Sequence, residues 1–234
     1  MPHGGLLMVN MRHSVIERLF GRLGIMTDKG KKRVRKSPVE RRDEIIRAAV
    51  KLIGEKGYYG TSLKEIADEI GMSQPGMLHY IGNKENLLSM LITDNYDAEG
   101  TPRDFIESGL PGSDPEGMLL PAYMRFLVRY NIQRRSLLQL YMVLESESFS
   151  PEHPLHEYFE NRPDAVWDHY SEFKWKLPPE VGGWENVRPI VRQCLEAMDG
   201  IQLRWTRKPP IDMYDEWLGF ERLIFPSPVW DHYR

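Results

Sequence analysis

Residues 61–88 read TSLKEIADEIGMSQPGMLHYIGNKENLL. Ser62 followed by Glu65 is a capping-box pattern, in which hydroxyl and carboxylate each satisfy one orphan backbone N–H. Leu63, Ile66, Ala67 and Ile70 recur at i, i+3, i+4 and i+7 and give one apolar helical face. Gly71 stands where a left-handed residue is wanted after a helix end. Ser73 is the next N-cap, and Pro75 falls in the first turn, where a missing N–H costs little. The spacing therefore predicts a short second helix over residues 74–80. Asn83 caps a third, with Leu87, Leu88, Leu91 and Ile92 at helical spacing. Helices under about 12 residues are marginal alone, because nucleation is unfavourable. Two of them held across a tight glycine turn match a helix-turn-helix, whose second helix enters the DNA major groove.

Upstream, Ile45, Ala49, Leu52 and Ile53 predict a longer helix over residues 38–56, ended by Gly57. Pro38 after Ser37 suits its start, and Glu40, Asp43 and Glu44 in the early turns favour the helix dipole. Gly54 within it costs about 1 kcal/mol relative to alanine. Lys84 opens the third reader helix, where a cation opposes the dipole. The free N–H groups at that same end form a phosphate site, so a lysine there fits a docked DNA phosphate.

The run at residues 47–88, RAAVKLIGEKGYYGTSLKEIADEIGMSQPGMLHYIGNKENLL, resembles the N-terminal DNA-binding domain of the tetracycline-repressor (TetR) family of transcriptional regulators. Ala48-Ala49, Gly57-Tyr58, Thr61, Ile66-Ala67, Gly71, Ser73, Lys84-Glu85 and Leu88 fall at the family's spacings. The resemblance covers residues 41–92. It implies an all-α homodimer whose C-terminal domain holds a small-molecule pocket and the dimer interface. The family often carries a Tyr-Tyr-His-Phe-like run where this chain has Leu78, His79, Tyr80 and Ile81. The usual aromatic phosphate contact is therefore expected at His79 or Tyr80.

Carried over by position, the resemblance implies that Thr61, Ser62, Tyr80 and Lys84 hold phosphates, which sets register without carrying sequence information. Gln74, Pro75, Gly76, Met77 and His79 are expected at base edges. Gln74 can pair with adenine through two hydrogen bonds, and Pro75 or Met77 can touch a thymine methyl. Gly76 allows close backbone approach. Core packing is the alternative for Met77 and the better expectation for Leu78.

Charge is divided along the chain. Residues 1–92 carry 16 Lys and Arg against 10 Asp and Glu, and the remainder carries 15 against 24, which returns the net −3. A basic reader is thus joined to an acidic body. Lys29, Lys31, Lys32, Arg33, Arg35, Lys36, Arg41 and Arg42 stand directly before or at the start of the reader and read as an arm that touches phosphates or the minor groove. Further upstream, Ile16, Leu19, Phe20 and Leu23 form a short apolar stripe. Three readings stay open for it: a start codon at Met26, a docking helix, or a weak membrane-surface helix. The stripe lacks the features of a signal peptide.

With 41% apolar residues in 234, the chain has room for a small reader and a larger core-bearing domain. The expected division is an N-terminal extension over residues 1–36, the helix-turn-helix domain over 37–83, and a helical effector-binding and dimerisation domain over 84–234. The one cysteine, Cys194, excludes an intrachain disulfide and fits a reducing cytoplasm. No apolar run reaches the length of a membrane span.

Past Asn95, AEGTPRDFIESGLPGSDPEG reads as a loop or broken helix. Helices are predicted over residues 119–130, 134–147, 156–174, 184–207 and 212–225, with Pro163 kinking or restarting the third. The last two correspond in place and length to the family's dimerising pair. Ile190, Leu195, Met198, Ile201, Trp217 and Leu223 are candidates for that interface.

Candidate ligand-binding residues are Tyr123, Phe126, Tyr141, Glu145, Trp167 and Tyr170, since pockets are mainly apolar with a few polar groups. Gln202 and His156 are further polar candidates. His153, His156, Glu157 and Glu160 share a helical side but read as a solvated face rather than metal ligands. No metal or cofactor is expected, and no Gly-rich phosphate loop, nucleophile elbow or zinc motif suggests an enzyme. The sequence is read as a ligand-responsive repressor that binds a palindromic DNA operator as a homodimer. The alternative is a DNA-binding regulator controlled by a protein partner or lacking a small-molecule effector.

Overall fold

The computed structural model describes residues 36–207 and 210–234. The basic run over residues 29–35 and the apolar stripe at Ile16 to Leu23 lie outside them. Ten α-helices make up most of the described chain. The first four are α1 (Pro38–Lys56), α2 (Leu63–Glu69), α3 (Gln74–Ile81) and α4 (Lys84–Leu91). Each begins where the sequence supplies a cap. Ser37 with Glu40 and Ser62 with Glu65 form reciprocal capping boxes, while Ser73 and Asn83 accept from Gly76 and Asn86 N–H groups. Caps of this kind contribute about 1 kcal/mol each. Gly71 takes φ +64°, as the turn between α2 and α3 requires.

A π-helical turn, Ile92–Asp97, extends α4 towards the second half of the molecule. The Gly- and Pro-rich stretch that reads as a loop or broken helix holds a short helix, α5 (Pro102–Ser108), because Thr101 and Asp104 form a third capping box. There follow α6 (Leu120–Ile132), α7 (Arg135–Glu147), α8 (His156–Ser171), α9 (Arg188–Arg207) and α10 (Met213–Ile224). Helix α8 runs through Pro163 without restarting. A 3-10 turn, Trp184–Val187, leads into α9, so the helical signal over residues 184–207 is two elements. Two residues of strand at each of Met118–Leu119 and Trp175–Lys176 pair in parallel, a link with no alternating pattern to announce it.

The apolar side chains gather into two cores. The first joins Ile45, Ile53, Ile66, Met77, Leu87 and Leu88 of α1–α4 to Leu138, Leu140, Tyr141 and Leu144 of α7. The second unites Tyr123, Met124 and Val128 of α6 with Val191, Cys194 and Met198 of α9 and Trp217 of α10. Helix α4 thus packs as part of the reader, and α7 is shared between halves. In the second core Glu221 is buried but not bare. It pairs with Arg125 at 2.6 Å and accepts from the Trp217 indole N–H at 3.2 Å, tying α10 to α6. A buried pair of this kind is costly to break, because the remaining charge is left uncompensated. Of the interface candidates, Met198 and Trp217 are buried within this subunit core, while Leu223 is 79% exposed and Ile190 and Ile201 are partly exposed. No helix among the described residues is long and apolar enough to cross a membrane.

Candidate functional site

Helix α3 presents one face outward. Ser73, Gln74, Pro75 and His79 are exposed, Gly76, Leu78 and Tyr80 are half-buried, and Met77 and Ile81 are buried. The period of 3.6 explains the split, since Met77 and Ile81 stand four apart on the side that meets α1 and α2. The Ser73 hydroxyl accepts from the Gly76 N–H at 3.2 Å, which fixes the start of the helix just where Gln74 and Pro75 emerge. His79 lies edge-on to Tyr80, with ring centroids 5.8 Å apart. This exposed end, free of apolar bulk, can be laid against base edges in a groove.

That segment also matches proteins of known kind. Residues 45–91 match the family described as bacterial regulatory proteins, tetR family. Over these residues the chain is similar to the TetR family. The HTH-type transcriptional regulator HbdR of Aromatoleum sp. (strain CIB) is 40% identical over 63 residues, which span 26% of this chain and 28% of HbdR. Among solved structures, GusR of Salmonella enterica superposes with a TM-score of 0.56 at 17% identity, over 81% of this chain and 97% of that one. The fatty acid degradation regulator FadR of Bacillus halodurans gives 0.57 at 17% identity, over 83% and 98%. At such identities the likeness shows the fold alone, and it extends well beyond the TetR-like reader into the helical C-terminal half.

Against this face, two expected contacts need correction. Met77 is fully buried, so its side chain belongs to the core and does not reach a base edge. Thr61 is 1% exposed, with its hydroxyl directed at the carbonyl oxygens of Gly57 at 2.9 Å and Leu52 at 3.2 Å. It therefore clamps the end of α1 instead of facing phosphate. Ser62 is exposed, but its hydroxyl is engaged with Glu65, both accepting from the backbone N–H at 3.1 Å and donating to the carboxylate at 2.9 Å. The Ser62 backbone N–H, then the Lys56 ammonium 2.9 Å away, hold the Glu65 carboxyl down to about 2.

Lys84 is folded inward. Its ammonium donates to the Tyr58 carbonyl at 2.6 Å and sits 4.1 Å from the Tyr58 ring centroid, and partial burial lowers its pKa. Tyr58 is the hub of this corner. Its N–H donates to the Glu147 carboxylate at 2.7 Å and its hydroxyl to Glu85 at 3.3 Å; burial, then Glu85, push the phenol up to about 12. Glu147 is the last residue of α7, so a carboxylate from the second half of the chain grips the reader between α1 and α2. Spacing marks Tyr58 as a family position but gives it no partner and does not single out Glu147, because the two meet only when α7 crosses α1.

Two cavities open in the C-terminal half, one of about 570 Å³ between α6, α8 and α9 and one of about 520 Å³ among α7, α8 and α9. Tyr123 and Tyr170 line the first, their hydroxyls joined at 2.9 Å. Tyr141, Glu145 and Trp167 line the second, with Trp167 stacked on Trp184 at 4.6 Å. Phe126 lines neither: it is packed between Phe105 and Tyr130, at 5.3 and 6.1 Å, and this corrects its expected place. Arg162, Leu195 and Asp199 border both cavities. Arg162 donates to Asp97 at 3.0 Å and to the Tyr158 hydroxyl at 3.2 Å. Burial, then the nearby Glu145 charge, raise the Asp199 carboxyl to about 7. Burial likewise raises Glu145. Sequence reasoning missed Arg162 and Asp199. A signal existed for Asp199, a charge on the otherwise apolar stripe Val191, Leu195, Met198.

Proposed function

We propose that this chain is a ligand-responsive transcriptional repressor that binds a near-palindromic operator as a homodimer. One observation carries the reading. Helix α7 walls a cavity through Tyr141 and Glu145 and, with Glu147, holds the reader at Tyr58. A ligand that favours one position of α7 would shift the reader with it, which is the differential interaction a ligand switch needs. Gln74, Pro75, Gly76 and His79 are assigned to base edges. Tyr80 and the free N–H groups at the start of α4 are assigned to phosphates, and Ser62 and Lys84 join them once DNA displaces their contacts to Glu65 and Tyr58. A single short reading helix makes few base contacts, so two copies about one DNA turn apart, roughly 34–36 Å, supply the selectivity. The exposed Leu223 and Leu203 near the end of the chain fit a face covered by a second copy.

The test is selection of genomic DNA fragments by the purified protein, followed by footprinting. A shared site with two-fold symmetry is expected, and Gln74→Ala should relax preference at one base pair per half-site by about 1–3 kcal/mol. Equal loss of affinity on every sequence would make Gln74 a backbone contact. Recovery of no common sequence would refute the regulator reading. Release of the footprint by a small-molecule extract, and not by a protein fraction, is the outcome expected for ligand response.

A further inference from the structure

The two cavities that border α8 and α9 are lined by more acidic than basic side chains. The first is bordered by Asp97, Glu99, Glu157 and Asp199 against two guanidiniums, Arg134 and Arg162. Both guanidiniums are engaged with groups other than Asp199. Arg162 is paired with Asp97, and Arg134 donates to the Tyr96 carbonyl at 3.1 Å and to Asn131 at 2.9 Å. The second cavity has Glu145, Asp164, Glu185, Glu196 and Asp199 against three arginines. There Arg188 is paired with Asp164, and Arg192 with Glu196 at 3.5 Å.

Asp199 is the group common to both cavities. Among the described residues it has no hydrogen-bond or ion-pair partner; Glu145 and Glu196 oppose its charge and Arg162 favours it from beyond ion-pair distance. An independent observation points the same way. Gln202, three residues on along α9 and 1% exposed, borders the first cavity with its Oε1 buried and without a hydrogen-bond partner. Residues three apart share a helix face. A buried acceptor without a donor costs about 1–3 kcal/mol, and such groups in native proteins call for an explanation. Here the explanation is a donor that arrives with the ligand.

Resting on the ligand-responsive reading proposed for this chain, we infer that the effector is cationic: an aromatic or aliphatic body carrying a protonated amine, whose N–H groups donate to the Asp199 carboxylate and to Gln202 Oε1. The surrounding rings Tyr96, Tyr123, Tyr141 and Tyr170 supply the apolar contact for the body. The carboxylate is already partly desolvated in the empty protein, so folding has borne part of the cost that usually offsets a buried ion pair.

The experiment is calorimetric titration of the full-length protein at pH 8 with three probes that share one apolar body: 4-phenylbutylamine, 4-phenylbutanol and 4-phenylbutanoate. The amine is expected to bind at least about tenfold more tightly than the carboxylate, with the alcohol between them. Asp199→Asn should remove the amine's advantage over the alcohol while leaving the alcohol's own affinity in place, which a merely structural role of Asp199 would not do. Equal losses for amine and alcohol, or a carboxylate that binds as tightly as the amine, would overturn the cationic assignment and leave ligand binding standing. Absence of binding by all three probes would count against the cavities as a ligand site altogether.

Discussion

Asp199 illustrates how one side chain links cavity chemistry to stability. Its carboxyl is raised from the usual 3.8 to about 7, first by burial and then by Glu145 on α7; Arg162 on α8 opposes the rise, and Glu196 on its own helix adds to it. Below about pH 4 the group is protonated in folded and unfolded chains alike. Between about 4 and 7 the folded chain holds a proton that the unfolded chain has lost, so stability falls as pH rises, by up to about 1.4 kcal/mol per unit. Above about 7 the group adds no further slope. Because the side chain is partly open to the cavities, the full effect is discounted. Asp199→Asn is expected to stabilise the empty protein at pH 8 by on the order of 2 kcal/mol. The gain should shrink as pH is lowered towards 4. Urea unfolding of both forms from pH 5 to 8 measures this, and a destabilised variant at pH 8 would contradict the assignment of an unpaired buried charge.

At the scale of elements, two glycines on α1 and just beyond it set how α7 meets the reader. Gly54 is buried against α7, where its carbonyl accepts from the Gln139 amide at 2.9 Å. A Cβ there would stand 3.5 to 3.7 Å from Leu140, ordinary van der Waals separation, so the helix-propensity cost of the glycine is not enforced by space. Gly57 is different. Its φ of +78° and ψ of 172° suit glycine alone, and a Cβ would fall 2.1 Å from the Glu147 carboxylate. Gly54→Ala is therefore expected to be neutral or to stabilise by up to about 1 kcal/mol. Gly57→Ala should destabilise by about 1–3 kcal/mol and displace Glu147 from the Tyr58 N–H. Thermal unfolding of the two variants distinguishes them; similar effects would mean that the Glu147 seat is not fixed by the glycine.

The same elements show what is legible in the sequence. Ser37, Ser62, Ser73 and Asn83 mark four helix starts because capping is a matter of three or four adjacent residues. The start of α5 at Thr101 is equally local, yet the surrounding glycines and prolines hide it. Sequence alone turns Met77 towards DNA because position along α3 says nothing of which face meets α1. The Glu147–Tyr58 contact and the convergence of Arg162 with Asp199 join residues from helices far apart in sequence. No periodicity within one helix reports such a crossing, so the exposed reader is legible while the floor of the cavities is not.

For the molecule as a whole, the division of charge sets how it meets DNA. Residues 36–92 carry 8 Lys and Arg against 8 Asp and Glu, so the positive excess of residues 1–92 lies in residues 1–35, and the field draws that run towards a phosphate backbone and the acidic remainder away from it. Within the described reader, however, several cations are already paired: Arg41 with Glu44 at 2.9 Å, Lys51 with Glu69 at 2.7 Å, and Lys56 with Glu65 at 2.9 Å. Those ammonium and guanidinium groups contribute less to phosphate binding than the formal count suggests. Lys29, Lys31, Lys32, Arg33 and Arg35 then become the natural source of the remaining salt-dependent affinity, since Lys36 is itself paired with Glu44. Each phosphate that a lysine or arginine neutralises adds about 0.9 to the slope of log affinity against log salt. Deletion of residues 1–36 is accordingly expected to weaken binding to specific and nonspecific DNA alike and to flatten that slope by about 1 for each phosphate no longer neutralised. Base preference at the positions read by Gln74 should be unchanged, because phosphate contacts carry no sequence information. Titrations of a fixed DNA site between about 50 and 200 mM salt decide the matter. An unchanged slope would mean that the basic run does not touch DNA, and the affinity would then have to come from α3, α4 and the second copy alone.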